Sequence, residues 1–290
     1  MAVMPIVKRL RAAVEPVWRA TAHFHRDGCF DRATVIAYFG LLSFLPLAVF
    51  LVTIAALALG TEAAEKGTEV FFENLLYRMP PQLMTQVRSL QSHVWSGVGY
   101  LGLVLWTASK VFSKIESGLD HVFRVGKRRP FARRKLFAFA LVGLMSVVLV
   151  ATVVMEGVMG TVDRFIDTTA LAPLKTMPLY QTLDSFFTRT MIPWSLTVFS
   201  FFVVYWLLPA DAIPWRVALV GGVVAGTLWN IVKVGFTYYI SHLASYTRTY
   251  GALATVIVFL LWINLSASIL LWGGELAAVV GGFRSGDDDS

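Results

Sequence analysis

The stretch GALATVIVFLLWINLSASILLWGGELAAVV, residues 251–280, carries one formally charged side chain, Glu275, in an otherwise apolar run. A helix that is apolar on every side belongs in lipid or deep inside a large core. About 20 consecutive apolar residues suffice to cross a bilayer core, and this run is longer. The rest of the chain decides between lipid and core. Of its 290 residues 57% are hydrophobic and 15% charged, with a mean hydropathy of +0.66. Soluble domains have about 25% charged residues, and a soluble protein of this size could not hide so much apolar surface. The fold class expected is therefore all-α, a polytopic membrane protein.

Six transmembrane helices are expected, near 33–59, 95–115, 136–159, 191–208, 216–240 and 251–280. Pro46 should kink the first unless neighbouring side chains satisfy the freed carbonyl. The first span lacks a small-residue cleavage site and is too long for a signal-peptide core, so it reads as retained. Ahead of it, residues 1–32 mix Val, Leu, Trp and Phe with six basic residues, the composition of an amphipathic segment on the cytoplasmic face of a membrane. Residues 61–93 alternate charged and apolar positions around Pro80-Pro81, which fits an amphipathic hairpin on the outer surface. The transmembrane domain thus covers 33–282, and the acidic tail 283–290 reads as disordered.

Lys and Arg in flanking loops set orientation. With the N-terminus inside, seventeen basic residues fall in the inside segments and seven in the outside loops. An N-in, C-in arrangement follows. The net charge of +7 could suggest nucleic acid, but its clustering beside apolar runs reads as topology instead. The densest block holds Lys127, Arg128, Arg129, Arg133, Arg134 and Lys135, and suits anionic lipid headgroups as partners as well as topology. Exposed Gly rows permit homo-oligomers. The single cysteine, Cys29, excludes an intramolecular disulfide and a Cys-rich metal site.

Ionised side chains inside spans are functional-site hypotheses by default, because lipid penalises them. Lys233 lies in apolar surroundings, about 10 Å from the outer end of its span. Gly226, Asn230, Lys233, Thr237 and Ser241 follow one another at spacings of four, three, four and four, on one helical face. A second stripe runs through Asn264, Ser268 and Glu275, and a third through Trp106, Lys110, Ser113, Lys114 and Ser117. Glu156 sits near the outer end of the third span. Charge and depth would match Lys233 with Glu156, and Lys110 or Lys114 with Glu275. On one reading these pairs merely glue helices together. On another the stripes line a cavity for an anionic headgroup or polar solute, and on a third Lys233 snorkels to the surface. Ala218, Gly222 and Gly226 form a small-xxx-small row that reads as close helix packing.

The five histidines are scattered, and no phosphate loop, nucleophile elbow or paired-carboxylate site is present. Neither a catalytic residue, a metal ligand nor a cofactor is expected, and the chain does not read as an enzyme.

Four stretches together carry a resemblance: AYFGLLSFLPLAVFL (37–51), GLVLWTASKVFSKIESGLDHVF (102–123), the block RRPFARRK, and SHLASYTRTYGALATVIVFLLWINLSASILLWGGELAAV (241–279). The chain resembles the YihY/BrkB family of bacterial inner-membrane proteins from about residue 20 to 282. The resemblance implies a six-helix bundle in the bacterial cytoplasmic membrane. It also implies associations with envelope integrity, serum resistance and transport of envelope lipids or solutes. Members are often labelled ribonuclease BN, a label that the lack of a His and Asp ligand cluster speaks against here. Ser43, Pro46, Ser109, Lys110, Lys233, Ser245, Tyr246, Tyr250, Gly251 and Glu275 match patterned family positions, and no role carries over with them. The expectation is a carrier of an anionic lipid or small polar solute, with a non-transporting envelope scaffold as the alternative. Lys233, Asn230, Thr237 and Glu156 would form the outer part of the site, with Lys110, Asn264 and Glu275 the inner part. Tyr246, Arg248 and Tyr250 would gate it.

Overall fold

A computed structural model describes residues 3–59, 98–126, 190–242 and 252–283, and every element among them is helical. The helices are α1 (Val3–Arg26), α2 (Cys29–Leu59), α3 (Val98–Val122), α4 (Ile192–Leu207), α5 (Trp215–His242) and α6 (Ala252–Val280). Five of the six expected spans coincide with a described helix. The third, 136–159, lies outside the described residues, as do the 61–93 hairpin, the basic block and residues 284–290. Among the described residues, Trp215–Ile240 and Val256–Val280 are long and apolar enough to cross a membrane, and Ile192–Leu207 is a shorter apolar helix. The chain divides into two compact units, Met1–Leu42 with Lys110–Phe137 and Thr197–Ser290, and Ser43–Ser109 with Ala138–Leu196. The candidate site residues described below fall in the first.

Small residues build the centre of that unit. α5 and α6 run side by side, with Trp229 meeting Ser266 and Phe236 meeting Trp262. As α5 steps back, α6 steps forward: Ala225 faces Gly273, and Gly221 faces Ala277. A Cβ on Gly273 would lie 2.6 Å from both the Ala225 Cβ and the Tyr205 hydroxyl, so only glycine fits there. The row foreseen in the sequence packs against α4: a Cβ on Gly222 would meet the Phe202 backbone nitrogen at 2.8 Å, and one on Gly226 the Val198 Cα at 2.9 Å. Close backbone approach of this kind is how helices associate where no hydrophobic driving force separates them from lipid. Tyr205, fully buried, donates from its hydroxyl to the Leu270 carbonyl at 2.7 Å and ties α4 to α6.

Helix boundaries differ from the expectation where capping overrides hydropathy. Residues 1–32 contain a break: α1 ends at Arg26, Gly28 takes φ +60°, and α2 starts at Cys29 rather than Ala33. Cys29, Ala33, Ile36 and Ala37 are buried at helical spacing, which explains the early start. α3 continues seven residues past Ile115, because Glu116, Leu119 and Val122 bury one face. It closes with Val125 N–H donating to the Asp120 carbonyl at 2.8 Å, the six-to-one bond of a Schellman cap. α6 closes the same way, Phe283 N–H to Ala278 at 3.0 Å, with Gly282 at φ +75°. Phe283, counted with the tail in the sequence reading, instead sets its ring edge-on against Phe123 at 5.7 Å.

Candidate functional site

On α5, Trp229 and Lys233 stand one turn apart, on the same face. The Trp229 indole is buried and fixed by its Nε1–H, which donates to Ser266 Oγ on α6 at 3.1 Å. Its ring lies 5.3 Å from that of Trp262, which in turn lies 4.8 Å from Phe236. The Lys233 ammonium is 5.6 Å from the Trp229 ring centroid, a cation over an aromatic face. Among the described residues no carboxylate comes within ion-pair reach of it. Such a contact is worth about 0.5–2 kcal/mol, against about 2.5–3.5 kcal/mol for a Lys at the centre of a spanning helix. Trp229 therefore offsets part of the cost and leaves the rest to another partner or to water.

The other stripe residues have separate surroundings. Asn230 donates to the Gly226 carbonyl of its own helix at 2.8 Å, and Thr237 is half-buried. Asn264 donates to Thr34 Oγ1 of α2 at 2.8 Å, and Ser268 bonds back to the Asn264 carbonyl at 2.9 Å. Glu275 is fully buried and accepts from the Cys29 thiol at 3.4 Å. At 1.5 Å per residue, Asn264 and Glu275 are about 16 Å apart along α6, too far to share one ligand. Lys110 and Lys114 are exposed, and the Lys114 ammonium lies 5.4 Å from the centre of the Phe39 ring. The structure thus brings Asn230 and Lys233 together on α5 and keeps Asn264 and Glu275 at separate contacts. Glu156, Tyr246, Arg248 and Tyr250 lie outside the described residues.

A polar junction that the sequence reading missed sits where α1 turns into α2. Asp27, its side chain 7% exposed, receives three cations at ion-pair distance: Arg26 at 4.0 Å, His121 at 3.9 Å when protonated, and Arg124 at 3.8 Å. Arg124 does this from φ +55°, a conformation that costs a non-glycine residue about 1–2 kcal/mol. One residue away, Asp120 Oδ1 accepts the Ala210 N–H at 2.8 Å and holds the α4–α5 connection against the end of α3. The signal available in the sequence was only that Asp27 precedes a glycine. Two of its three partners, His121 and Arg124, lie more than ninety positions away in the chain and no spacing points to them. Among the described residues no group of three His, Cys, Asp or Glu side chains could hold a metal ion.

Comparison with known proteins bears on what this arrangement is for. Residues 20–289 match the family model described as virulence factor BrkB. A UPF0761 membrane protein of Rhodospirillum centenum is 28% identical over 96% of this chain. Another from Alkalilimnicola ehrlichii is 26% identical over 94% of it. The chain spans 60% of the length of each of these two relatives. A third, from Pseudoalteromonas atlantica, is 25% identical, and the chain spans 83% of it. No solved structure matches.

Proposed function

The chain belongs to the BrkB virulence-factor family of membrane proteins, and from that premise we propose that it binds an anionic lipid headgroup or small anionic solute at Lys233 and carries it through the bacterial cytoplasmic membrane. One observation carries the reading. A cation is held part-way along a spanning helix by an indole face, with no carboxylate among the described residues to neutralise it. An intramembrane charge left in that state suits a ligand anion better than a structural pair. The frame for it is six spans with both termini on the cytoplasmic side, the arrangement that the basic loops favour. The basic residues 127–135 would hold anionic headgroups at that surface, and the role is one of binding and passage without catalysis.

The test is native mass spectrometry of the protein released gently from its own membrane, beside a Lys233→Met variant. The expected result is an anionic species retained by the wild type and lost from a variant that is still folded. Equal retention by both proteins, or none by either, removes the reading. The scaffold alternative draws support from the glycine contacts of α4, α5 and α6, which close that part of the unit to anything larger than a hydrogen atom.

A further inference from the structure

The three cations around Asp27 do not hold it in the same way. Arg26 is its neighbour in the chain and moves with the turn between α1 and α2. Arg124 and His121 come from the end of α3, so their contacts tie the turn to another helix. The Arg124 side chain is 42% exposed, and water screens an ion pair in that position. His121 is 31% exposed and stands in the last turn of α3, where the helix dipole favours a cation. Both arginines keep their charge at every pH that the protein meets. The imidazole does not, since histidine gains or loses its proton between about pH 5 and 8.

Other ionisable groups meet at the same end. Asp120 precedes His121 and is engaged by the Ala210 N–H. Asp31 and Arg32 follow at the start of α2, and Asp211 lies in the α4–α5 connection. His23 of α1 is buried, with its Nδ1 3.1 Å from the Arg26 guanidinium. Arginine can only donate, so the His23 ring is the acceptor and is neutral in this contact. Acid at His23 would set a cation against Arg26 and loosen what acid at His121 tightens.

We propose that His121 and Asp27 form an acid-closed latch. Protonated, the imidazole clamps the turn between α1 and α2 onto the end of α3. Deprotonated, it drops out and leaves Asp27 to its two arginines. The pair is fully present at low pH and is lost as pH rises through the titration of the ring. Two residues beyond Asp27, the fully buried Cys29 donates its thiol to Glu275 at 3.4 Å. An open turn draws Cys29 away from that carboxylate and admits water to it, so the latch couples pH on that side of the membrane to access at the buried end of α6. None of this depends on the Lys233 reading.

Cys29 is the single cysteine of the chain and is buried, so its reaction with N-ethylmaleimide measures the opening. The experiment uses the full chain in nanodiscs at pH 6, 7 and 8. Each rate is divided by that of the same thiol in the guanidinium-unfolded chain at the same pH, which removes the ionisation of the thiol itself. The wild-type ratio should rise about 3–10-fold from pH 6 to pH 8, between the effect of an exposed pair and that of a buried one. His121→Gln should lose the rise and stay near the wild-type pH 8 level. His121→Lys should lose it and stay near the pH 6 level. His23 is present in all three proteins, so its contribution cancels in the comparison. A flat wild-type ratio, or a Cys29 that never reacts, overturns the proposal without requiring any variant to fold. A rise that persists in either variant overturns it too, because another group is then titrating.

Discussion

Lys233 and Tyr205 sit in one unit but answer to different physics. Removing a charge that has a buried partner costs about 3–5 kcal/mol, since the partner is left alone in low dielectric. Removing one held only by an indole forfeits about 0.5–2 kcal/mol and relieves a comparable desolvation cost. Lys233→Met should therefore leave unfolding stability within about 1 kcal/mol of wild type or raise it, on the argument that its contact is with Trp229. Reversible SDS unfolding monitored by tryptophan fluorescence would measure this. A loss above about 3 kcal/mol would mean that Lys233 is a structural ion-pair member. Tyr205→Phe is the converse case. It deletes a buried hydroxyl and leaves the Leu270 carbonyl to its helical bond alone. Interhelical hydrogen bonds in membrane bundles average about 0.6 kcal/mol and reach about 1.7. The same unfolding assay should show a loss in that range, with binding of any Lys233 ligand unchanged.

Among the helices, the contacts of α5 with α4 and α6 set the tolerance for added atoms. A methyl at Gly222 would press on the backbone of Phe202, which cannot rotate away as a side-chain tip can. Gly222→Ala should cost about 1–3 kcal/mol as α4 and α5 are forced apart. At Gly235 nothing lies within 4 Å of the added carbon, so Gly235→Ala on the same helix should be neutral or stabilise by up to about 1 kcal/mol through helix propensity. Thermal denaturation of the pair in one detergent separates packing from propensity, and equal behaviour would mean that α4 and α5 do not meet at Gly222. This seam was legible in the sequence because Ala218, Gly222 and Gly226 repeat every four residues, and a helix converts that period directly into a face. So was the conflict at Lys233, since one charge in an apolar run needs no partner to be noticed. What Glu275 meets was not legible. Depth and charge matched it with Lys110 or Lys114, but its contact with the Cys29 thiol, 246 positions away, leaves no trace in any spacing. The length of α3 was hidden for another reason: its last turns bury Glu116, and hydropathy reads that carboxylate as an exit from the membrane.

For the whole molecule, the distribution of basic residues makes the sharpest commitment. Seventeen in the segments assigned inside against seven in those assigned outside is a bias that insertion reads loop by loop, with the short loops counting most. The proposed arrangement, with both ends on the cytoplasmic side, needs an even number of crossings. Fused C-terminally, green fluorescent protein should fluoresce and alkaline phosphatase should stay inactive. A single cysteine placed between residues 160 and 190 should react with a membrane-impermeant maleimide added from outside, while Cys29, fully buried, stays silent. An active C-terminal phosphatase would instead demand an odd number of crossings. In that case α4 is the first helix to re-examine. Its 16 residues, Ile192–Leu207, extend about 24 Å against a hydrocarbon core of about 30 Å. α4 can cross only if the residues beyond its ends, Thr190 and Met191 on one side and the buried Leu208 and Pro209 on the other, complete the passage. Shielding of cysteines at 190 and 211 from opposite-side reagents alone would establish that crossing, since each should react from one side and not the other.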